Sequence, residues 1–217
     1  SLIAPTLNVD VLTVNGRDIP VAGRALLASH LVRMGATICV RYIGDGFEGV
    51  IGEDGVLTHG QDFRILGGQG YLINLLEPVT LQMQGGPLTV AVAKSPTAVP
   101  DPDWAFLLAG SNAGDGHVPA GTSWEIRHEQ SGTSAAVVRV GQGEFLGLFV
   151  GGGKDAGIAA GDTISVRQVT SHGYELGRPS VVSISNKDVS RAHRTALIHA
   201  APGATTLLPN YPNPFNP

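Results

Sequence analysis

Seven histidines are the residues of this chain whose chemistry best suits metal binding or acid–base catalysis. None of them belongs to an H-E-x-x-H pair or a closely spaced Cys/His group, the patterns that place imidazoles around zinc. We therefore expect scattered surface or packed imidazoles and no metal site. The seven are His30, His59, His117, His128, His172, His193 and His199.

A serine hydrolase of the common type needs its nucleophile in a G-x-S-x-G turn. Gly110-Ser-Asn-Ala-Gly114 places its serine one position too early for that turn. A Ser/His/Asp triad could be assembled only by choosing freely among many residues, and the separation of paired carboxylates is not visible in a sequence. The sequence predicts no catalytic residue, so a hydrolase ranks third, after the two non-catalytic interpretations given at the end of this section. A pocket where a histidine and a carboxylate meet a serine within hydrogen-bond reach would favour it.

Several glycine-rich loops must be weighed as cofactor or ion sites. Gly44-Asp-Gly-Phe-Glu-Gly49 satisfies the dinucleotide pattern G-x-G-x-x-G, but that site needs a helix next, and Val50–Gly55 has no helical period. We expect a hairpin turn there. Gly67–Gly70 and Gly151–Gly153 lack the Lys-Ser/Thr pair of a phosphate-binding loop, and Asn112–Gly116 lacks the spacing of a calcium loop. The sequence predicts no cofactor.

Cys39 is the single cysteine, so the chain can form neither an intramolecular disulfide nor a cysteine-based zinc site. It lies in the apolar stretch from Ala36 to Val40. A small hydrophobic side chain in the core is expected there rather than a reactive thiol.

Composition and charge narrow the class of protein. The 217 residues include 30 glycines and 14 prolines, and 42% are hydrophobic while only 15% are charged. This balance is typical of short strands joined by tight turns, and it excludes a coiled coil. The net charge of −4 supplies no cationic surface for nucleic acid. No apolar run approaches the ~18 residues of a membrane span, so we expect neither nucleic acid nor a membrane span.

Turn signals and alternating apolar residues predict a mostly β fold. Asn15-Gly16 follows the alternating stretch Leu7–Val14 and predicts a hairpin. Helical spacing of apolar residues from Ala22 to Met34 predicts one helix, and Ser185-Asn-Lys-Asp188 has the spacing of a capping box. The other predicted strands are 37–43, 47–51, 71–75, 79–83, 104–108, 122–129, 135–140, 144–150, 162–170, 180–184 and 195–199, with a turn at Glu53-Asp-Gly55.

A proline-rich segment divides the chain. Residues 94–103 hold three prolines, each of which fixes φ and lacks a backbone donor, so they predict an extended linker. We expect two small β-sandwich or barrel-like domains with one helix in the N-terminal domain. The domains would be residues 1–93 and an immunoglobulin-like sandwich at 104–200, followed by a Pro/Asn-rich tail at 201–217.

The tail carries the most specific motif of the sequence. Its last eight residues are Asn210, Tyr211, Pro212, Asn213, Pro214, Phe215, Asn216 and Pro217. This run resembles the opening of the FlgD-like and type IX secretion sorting domains, which large secreted or surface-attached bacterial proteins carry at their C-termini. The resemblance implies that the chain lies upstream of a sorting domain. If this proline-rich tail is held in place, it rests on its own sandwich or docks on a neighbouring copy, and the second arrangement would build a head-to-tail polymer.

Two further segments resemble accessory domains that accompany such tails. Gly68-Gln-Gly-Tyr-Leu-Ile-Asn74 and the strand from Val79 to Gly85 match one of them, although Leu7–Pro20 departs from its usual opening. Residues 104–170 resemble small sandwich repeats through Gly121-Thr122, Gly141–Phe145 and Ala160–Ile164. The resemblance brings no catalytic residue to this chain.

These observations favour a non-catalytic extracellular structural, adhesion or assembly module of a secreted bacterial surface protein, in which copies could form a filament. The expected partners are other copies, or neighbouring domains of the same polypeptide. The alternative is a carbohydrate-binding module, with a glycan as the partner. It would need Trp104, Trp124, Tyr42 or Tyr71 exposed on a flat sheet face, whereas both tryptophans lie in strand-like runs and are expected to be buried.

Overall fold

The computed structural model describes residues 11–19, 25–44, 46–66, 69–84, 104–112, 122–141, 143–152 and 157–198. Within these residues the fold is mostly β, with two short helices and no closed barrel, which confirms the predicted fold class. In chain order the elements are β1 (Val11–Val14), β2 (Arg17–Ile19), α1 (Ala28–Arg33), β3 (Ala36–Ile43), β4 (Gly46–Glu53), β5 (Val56–Gly60), β6 (Leu72–Leu75), β7 (Leu81–Gln84), β8 (Trp104–Asn112), β9 (Thr122–His128), β10 (Ala136–Gly141), β11 (Glu144–Gly151), β12 (Thr163–Thr170), β13 (Glu175–Ser183), α2 (Asn186–Arg191) and β14 (His193–Ile198).

The strands form small sheets that are almost entirely antiparallel. Their orders are β2-β1-β7, β5-β4-β3-β6, β10-β11-β8-β14 and β13-β12-β9. The pair β14 and β8 is parallel, with His193 opposite Leu107. We call β5-β4-β3-β6 the first sheet, β10-β11-β8-β14 the central sheet and β13-β12-β9 the outer sheet.

The central sheet is covered on both of its faces. Along β8, Phe106 and Leu108 pack against the outer sheet, whereas Leu107 and Ala109 pack against the first sheet. Successive side chains of a strand point to opposite faces. The continuous burial of β8 therefore follows from a layer on each side. By contrast, β9 alternates strictly between buried and exposed residues, since one face of the outer sheet meets solvent.

The other face of the first sheet is covered by α1. Leu31 and Val32 of the helix pack with Cys39, Val50 and further apolar residues to form a core cluster there. The layers thus run from α1 through the first and central sheets to the outer sheet. Cys39 is fully buried in this core, as predicted, and burial raises the pKa of its thiol to about 12.

The predicted turns are confirmed where the structure describes them. Asn15 and Gly16 both have positive φ and join β1 to β2, and Asp54 and Gly55 do the same between β4 and β5. These are the conformations of two-residue hairpin turns, for which Asn-Gly and Asp-Gly are best suited. The pattern G-x-G-x-x-G likewise lies in a hairpin, because β4 returns antiparallel to β3.

The predicted helix begins later than its apolar spacing indicates. Leu27 forms a β-bridge with Arg64, and the N–H of Ile65 donates to the carbonyl of Leu26 at 2.8 Å. Tertiary pairing therefore holds these residues extended, and α1 starts only at Ala28. The capping box at Ser185 is confirmed, because its hydroxyl accepts from the N–H of Asp188 at the start of α2.

Three details of the strands differ from the prediction. No strand is predicted at β5, and β14 begins two residues before the predicted 195–199 segment. β13 begins at Glu175 rather than at Ser180, and it runs through Pro179. β13 is an edge strand, and its ladder with β12 shifts register between Val166 and Gln168, so Pro179 lies in an unpaired stretch where its missing N–H costs no ladder hydrogen bond.

The proposed division into two domains stays a prediction. The linker at 94–103 and the tail residues Asn210–Pro217 lie outside the described residues. The described strands on either side of that linker share one apolar cluster, to which Ile38 and Val40 contribute from the first sheet and Leu107 and Leu148 from the central sheet. We refer to this contact as the junction.

Candidate functional site

Three side chains that the sequence could not group lie in contact at one end of the sandwich. His128 Nδ1 is 2.8 Å from the Ser131 hydroxyl, and His128 Nε2 is 2.9 Å from a carboxylate oxygen of Asp162. The histidine is only 4% exposed, while Ser131 is exposed. A serine, an imidazole and a carboxylate therefore form a continuous hydrogen-bonded chain that ends at the surface.

The register of two strands brings this cluster together. His128 ends β9 and lies opposite Ile164 of β12, so Asp162, just before β12, falls beside the imidazole. Ser131 lies in a tight loop that closes when the His128 N–H donates to the carbonyl of Thr133 at 2.8 Å. Gly132 adopts a φ of 73° in this loop, a conformation that favours glycine.

The tautomer of His128 decides which groups donate in this cluster. When Nε2 donates to the Asp162 carboxylate, Nδ1 accepts from the Ser131 hydroxyl, whose single proton is otherwise donated to Thr133 Oγ1 at 2.9 Å. The same Asp162 oxygen accepts from the N–H of Ala159 at 2.7 Å. This is the order of groups found in serine hydrolases, with the two ring nitrogens exchanged.

A cavity of about 210 Å³ adjoins the cluster. His128, Ser131 and Thr133 line it together with apolar side chains, among them Phe149, whose ring is edge-on to the imidazole. Trp104 lines the same cavity, and its buried indole N–H has no hydrogen-bond acceptor among the described residues. The cavity thus has mainly apolar walls beside the polar side chains of His128, Ser131 and Thr133.

The backbone N–H groups of the 128–133 loop, which a hydrolase could use to stabilise an oxyanion, already have hydrogen-bond partners. The N–H of Gly132 donates to the carbonyl of His128 at 2.8 Å, and the N–H of Thr133 donates to the Ser131 oxygen at 3.2 Å. Neither is free to stabilise an oxyanion in this conformation. The cluster therefore acts foremost as a clamp that joins the 128–133 loop to the turn before β12.

The remaining histidines have separate environments. His30 Nδ1 accepts from the N–H of Leu27 at 3.0 Å, and burial, followed by the nearby Arg33, lowers its pKa. His172 lies exposed in a turn, and His193 is buried at the junction with His59 nearby. His117 and His199 lie outside the described residues. Within the described ranges, no three His, Cys, Asp or Glu side chains form a group that could hold a metal ion.

The aromatic residues considered for sugar binding are not exposed platforms. Trp124 is 6% exposed and packs on Phe145 with ring centroids 4.9 Å apart, which confirms its predicted burial between sheets. Trp104 is half-buried, as are Tyr42 and Tyr71. The hydroxyl of Tyr71 is further occupied by the N–H of Leu66 at 2.7 Å. None of the four is among the exposed side chains of the described residues.

A buried arginine was not anticipated from the sequence. Arg41 is 9% exposed and donates from Nε to Glu48 at 2.7 Å and from Nη1 to the Arg64 carbonyl at 3.0 Å. Its guanidinium also lies 4.8 Å from the ring centroid of Phe63. These contacts satisfy the charge locally, so Arg41 holds Phe63 and Arg64 on the first sheet rather than offering a free cation.

Comparison with protein families, with curated proteins and with solved structures finds no match for this chain. The resemblance to sorting-domain proteins therefore stays a prediction. In the part of the chain that the structure describes, no helix is both long and apolar enough to cross a membrane.

Proposed function

We propose that this chain is a non-catalytic structural module of a secreted bacterial surface protein, acting as a rigid spacer or assembly unit. The observation that supports this proposal is the layered core. The central sheet is buried on both faces, so the apolar side chains of β8 and β11 join the first sheet to the outer sheet. A force or torque applied to one half is then transmitted to the other through packed side chains rather than through a flexible linker.

Polar contacts reinforce the junction at its edge. The hydroxyl of Thr37 donates to the carbonyl of Arg191 at 2.6 Å, and Asn74 Nδ2 donates to the carbonyl of Ser190 at 3.1 Å. Arg191 also lies 3.9 Å from a carboxylate oxygen of Glu53. These contacts connect the first sheet to α2, and they restrict sliding of the two halves, as a spacer requires.

The location and the partners of the module are part of the same proposal. Secretion and surface attachment rest on the tail motif Asn210–Pro217, and self-association or contact with neighbouring domains rests on the same resemblance. A glycan-binding role has less support, because the four aromatic residues that it needs are buried or half-buried. Tyr174 is 73% exposed, but it lies in a turn rather than on a sheet face.

Single-molecule pulling on the full chain tests the spacer role. If the halves form one mechanical unit, residues 28–198 unfold in one step that releases about 600 Å of extended chain. Two separate steps at different forces would contradict the proposal. Light scattering and electron microscopy of the same material over a range of concentrations test assembly, since ordered oligomers or fibres are expected and a strictly monomeric protein would leave only the spacer role.

One observation favours a second function, hydrolysis of a small ester at Ser131. In this reaction the Ser131 oxygen bonds to the carbonyl carbon while its proton passes through His128 to the leaving alcohol, and water then releases the acid by the same route. Asp162 stabilises the imidazolium that forms in this step.

Labelling by a fluorophosphonate, which reacts with activated serines, tests this second function. Ser131→Ala should abolish both labelling and turnover of p-nitrophenyl acetate if the site is catalytic. Ser171→Ala is the matched control, because Ser171 lies 3.3 Å from a histidine, His172, in an exposed turn and has no carboxylate partner among the described residues. Equal labelling of the wild type and both variants, or none at all, would leave His128 as a structural clamp only.

A further inference from the structure

His193 is a buried imidazole without hydrogen bonds at the junction. It begins β14, is 3% exposed, and neither of its ring nitrogens has a partner among the described residues. In the parallel pair it lies opposite Leu107, whose side chain packs on the first sheet. Directly paired residues of neighbouring strands point to the same face. The imidazole of His193 therefore faces the first sheet.

The charged groups around His193 come from both sides of the junction. Glu53 and His59 approach from β4 and β5 of the first sheet, while Asp188 and Arg191 belong to α2. Arg191 lies 3.9 Å from Glu53. The carboxylate that could best neutralise an imidazolium at His193 is therefore already paired with a cation. His59 has its own Nδ1 buried without a partner in the described residues. A proton on His193 would add a second positive charge beside that of Arg191.

We infer that His193 makes the junction acid-sensitive, so that its protonation separates the α2–β14 corner from the first sheet. The closed junction requires a neutral ring, since the buried cation would have no acceptor at either nitrogen. In an opened junction the ring regains water and can be charged. The contacts that would be released are those of Thr37 and Asn74 with the backbone of α2.

The direction of the pH effect follows from the two states of the ring. Burial lowers the pKa of His193 to about 4 in the closed form, with Arg191 and His59 acting in the same direction and Glu53 and Asp188 opposing it. In an opened form the pKa returns toward the ordinary value of about 6.5. The closed form is therefore favoured in full above about pH 6.5, and it is progressively weakened as the pH falls toward about 4.

The size of the effect can be stated as a change in the opening equilibrium. With pKa values of about 6.5 open and about 4 closed, opening becomes on the order of a hundredfold more favourable between pH 7 and pH 4. Carboxylates with ordinary pKa values of about 3.9–4.3 begin to titrate at the lower end of this window, so a variant without the His193 imidazole is needed to separate the two contributions. The inference concerns the packing of the two halves, and it does not depend on whether the chain is a surface module or a hydrolase.

Hydrogen exchange of the full chain, corrected for the intrinsic pH dependence of amide exchange, tests the inference. Amides of β14 and of β3 should lose protection together between pH 7 and pH 4, while amides of β9 and β12 should not. His193→Leu should keep protection constant over this range, whereas His172→Leu, at an exposed turn, should behave like the wild type. The same loss of protection in His193→Leu as in the wild type would overturn the inference.

A direct measurement on the wild type covers the case in which the leucine variant does not fold. Proton NMR of the imidazoles follows each titration separately, and His193 should titrate well below the ordinary value of about 6.5. Titration of His193 near that ordinary value, without loss of protection in β14, would also overturn the inference. If the pH dependence disappeared in His59→Leu but persisted in His193→Leu, the switch would belong to His59 instead.

Discussion

Gly52 on β4 is the position where an added methyl group should most directly disturb the contact between α1 and the first sheet. A Cβ at Gly52 would lie 2.4 Å from Cγ1 and 2.9 Å from Cγ2 of Val32, and 2.7 Å from the backbone oxygen of Ala36. Carbon atoms in contact are normally about 3.5–4.0 Å apart. Val32 is fully buried, so it has no empty space to enter, and a backbone oxygen cannot rotate away.

Gly46, on the same strand, supplies the matched control for this substitution. The nearest atom to a Cβ at Gly46 is the Ile43 oxygen at 3.9 Å, an ordinary contact. Neither glycine has positive φ. Both alanine variants therefore gain the same ~0.4–1 kcal/mol from the reduced entropy of the unfolded chain. The difference between them isolates the overpacking at Gly52, which we expect to be about 3 kcal/mol, the upper end of the usual range.

Urea unfolding followed by far-ultraviolet circular dichroism measures this difference. With a slope of about 1–3 kcal/mol per molar, Gly52→Ala should unfold at a urea concentration lower by about 1 M or more, and Gly46→Ala at the wild-type concentration or slightly above it. Equal midpoints for the two variants would refute the reasoning, because they would mean that α1 moves away from the sheet without loss of packing energy.

Three further predictions concern the junction, a helix cap and the thiol. Leu107→Ala, at a fully buried junction residue, should lower the free energy of unfolding by about 2–5 kcal/mol, and exchange should increase in both halves rather than in one. Asp188→Ala, which removes one member of the capping box at Ser185, should lower the free energy of unfolding by about 1–2 kcal/mol at neutral pH. Burial alone would raise the pKa of Asp188, but hydrogen bonds from Ser185 and the charge of Arg194 hold it below its ordinary value. The wild type should therefore lose the extra stability as the pH falls through that lowered pKa, whereas the alanine variant should not. Cys39 should react with a thiol reagent only as fast as the protein unfolds, because it is fully buried with a pKa of about 12, and immediate reaction in the folded protein would contradict its place in the core.

Local chemistry explains which features of the fold could be predicted from the sequence. Asn15-Gly16 and Asp54-Gly55 determine their turns because few residue pairs tolerate two successive positive φ values. Ser185 and Asp188 determine the start of α2 through hydrogen bonds three residues apart. Each of these signals is contained within four residues, so it depends little on distant parts of the chain.

Distant pairing explains what the sequence could not indicate. The residues before α1 have helical apolar spacing, yet their hydrogen bonds with the Phe63–Ile65 segment keep them extended. Similarly, β14 pairs with β8 in parallel, and this direction depends on the packing of the whole sandwich rather than on the six residues of β14. The burial of every residue from Phe106 to Gly110 also depends on a sheet on each face.

The Ser131–His128–Asp162 cluster shows the same limit in the candidate site. Ser131 and His128 are three residues apart and would suggest only a local turn contact, while Asp162 joins them across 34 residues through the pairing of β9 with β12. A one-residue slip of β12 against β9 would move the carboxylate away from the imidazole. The site is therefore a property of strand register, and a sequence motif that identifies it cannot be written without the sheet.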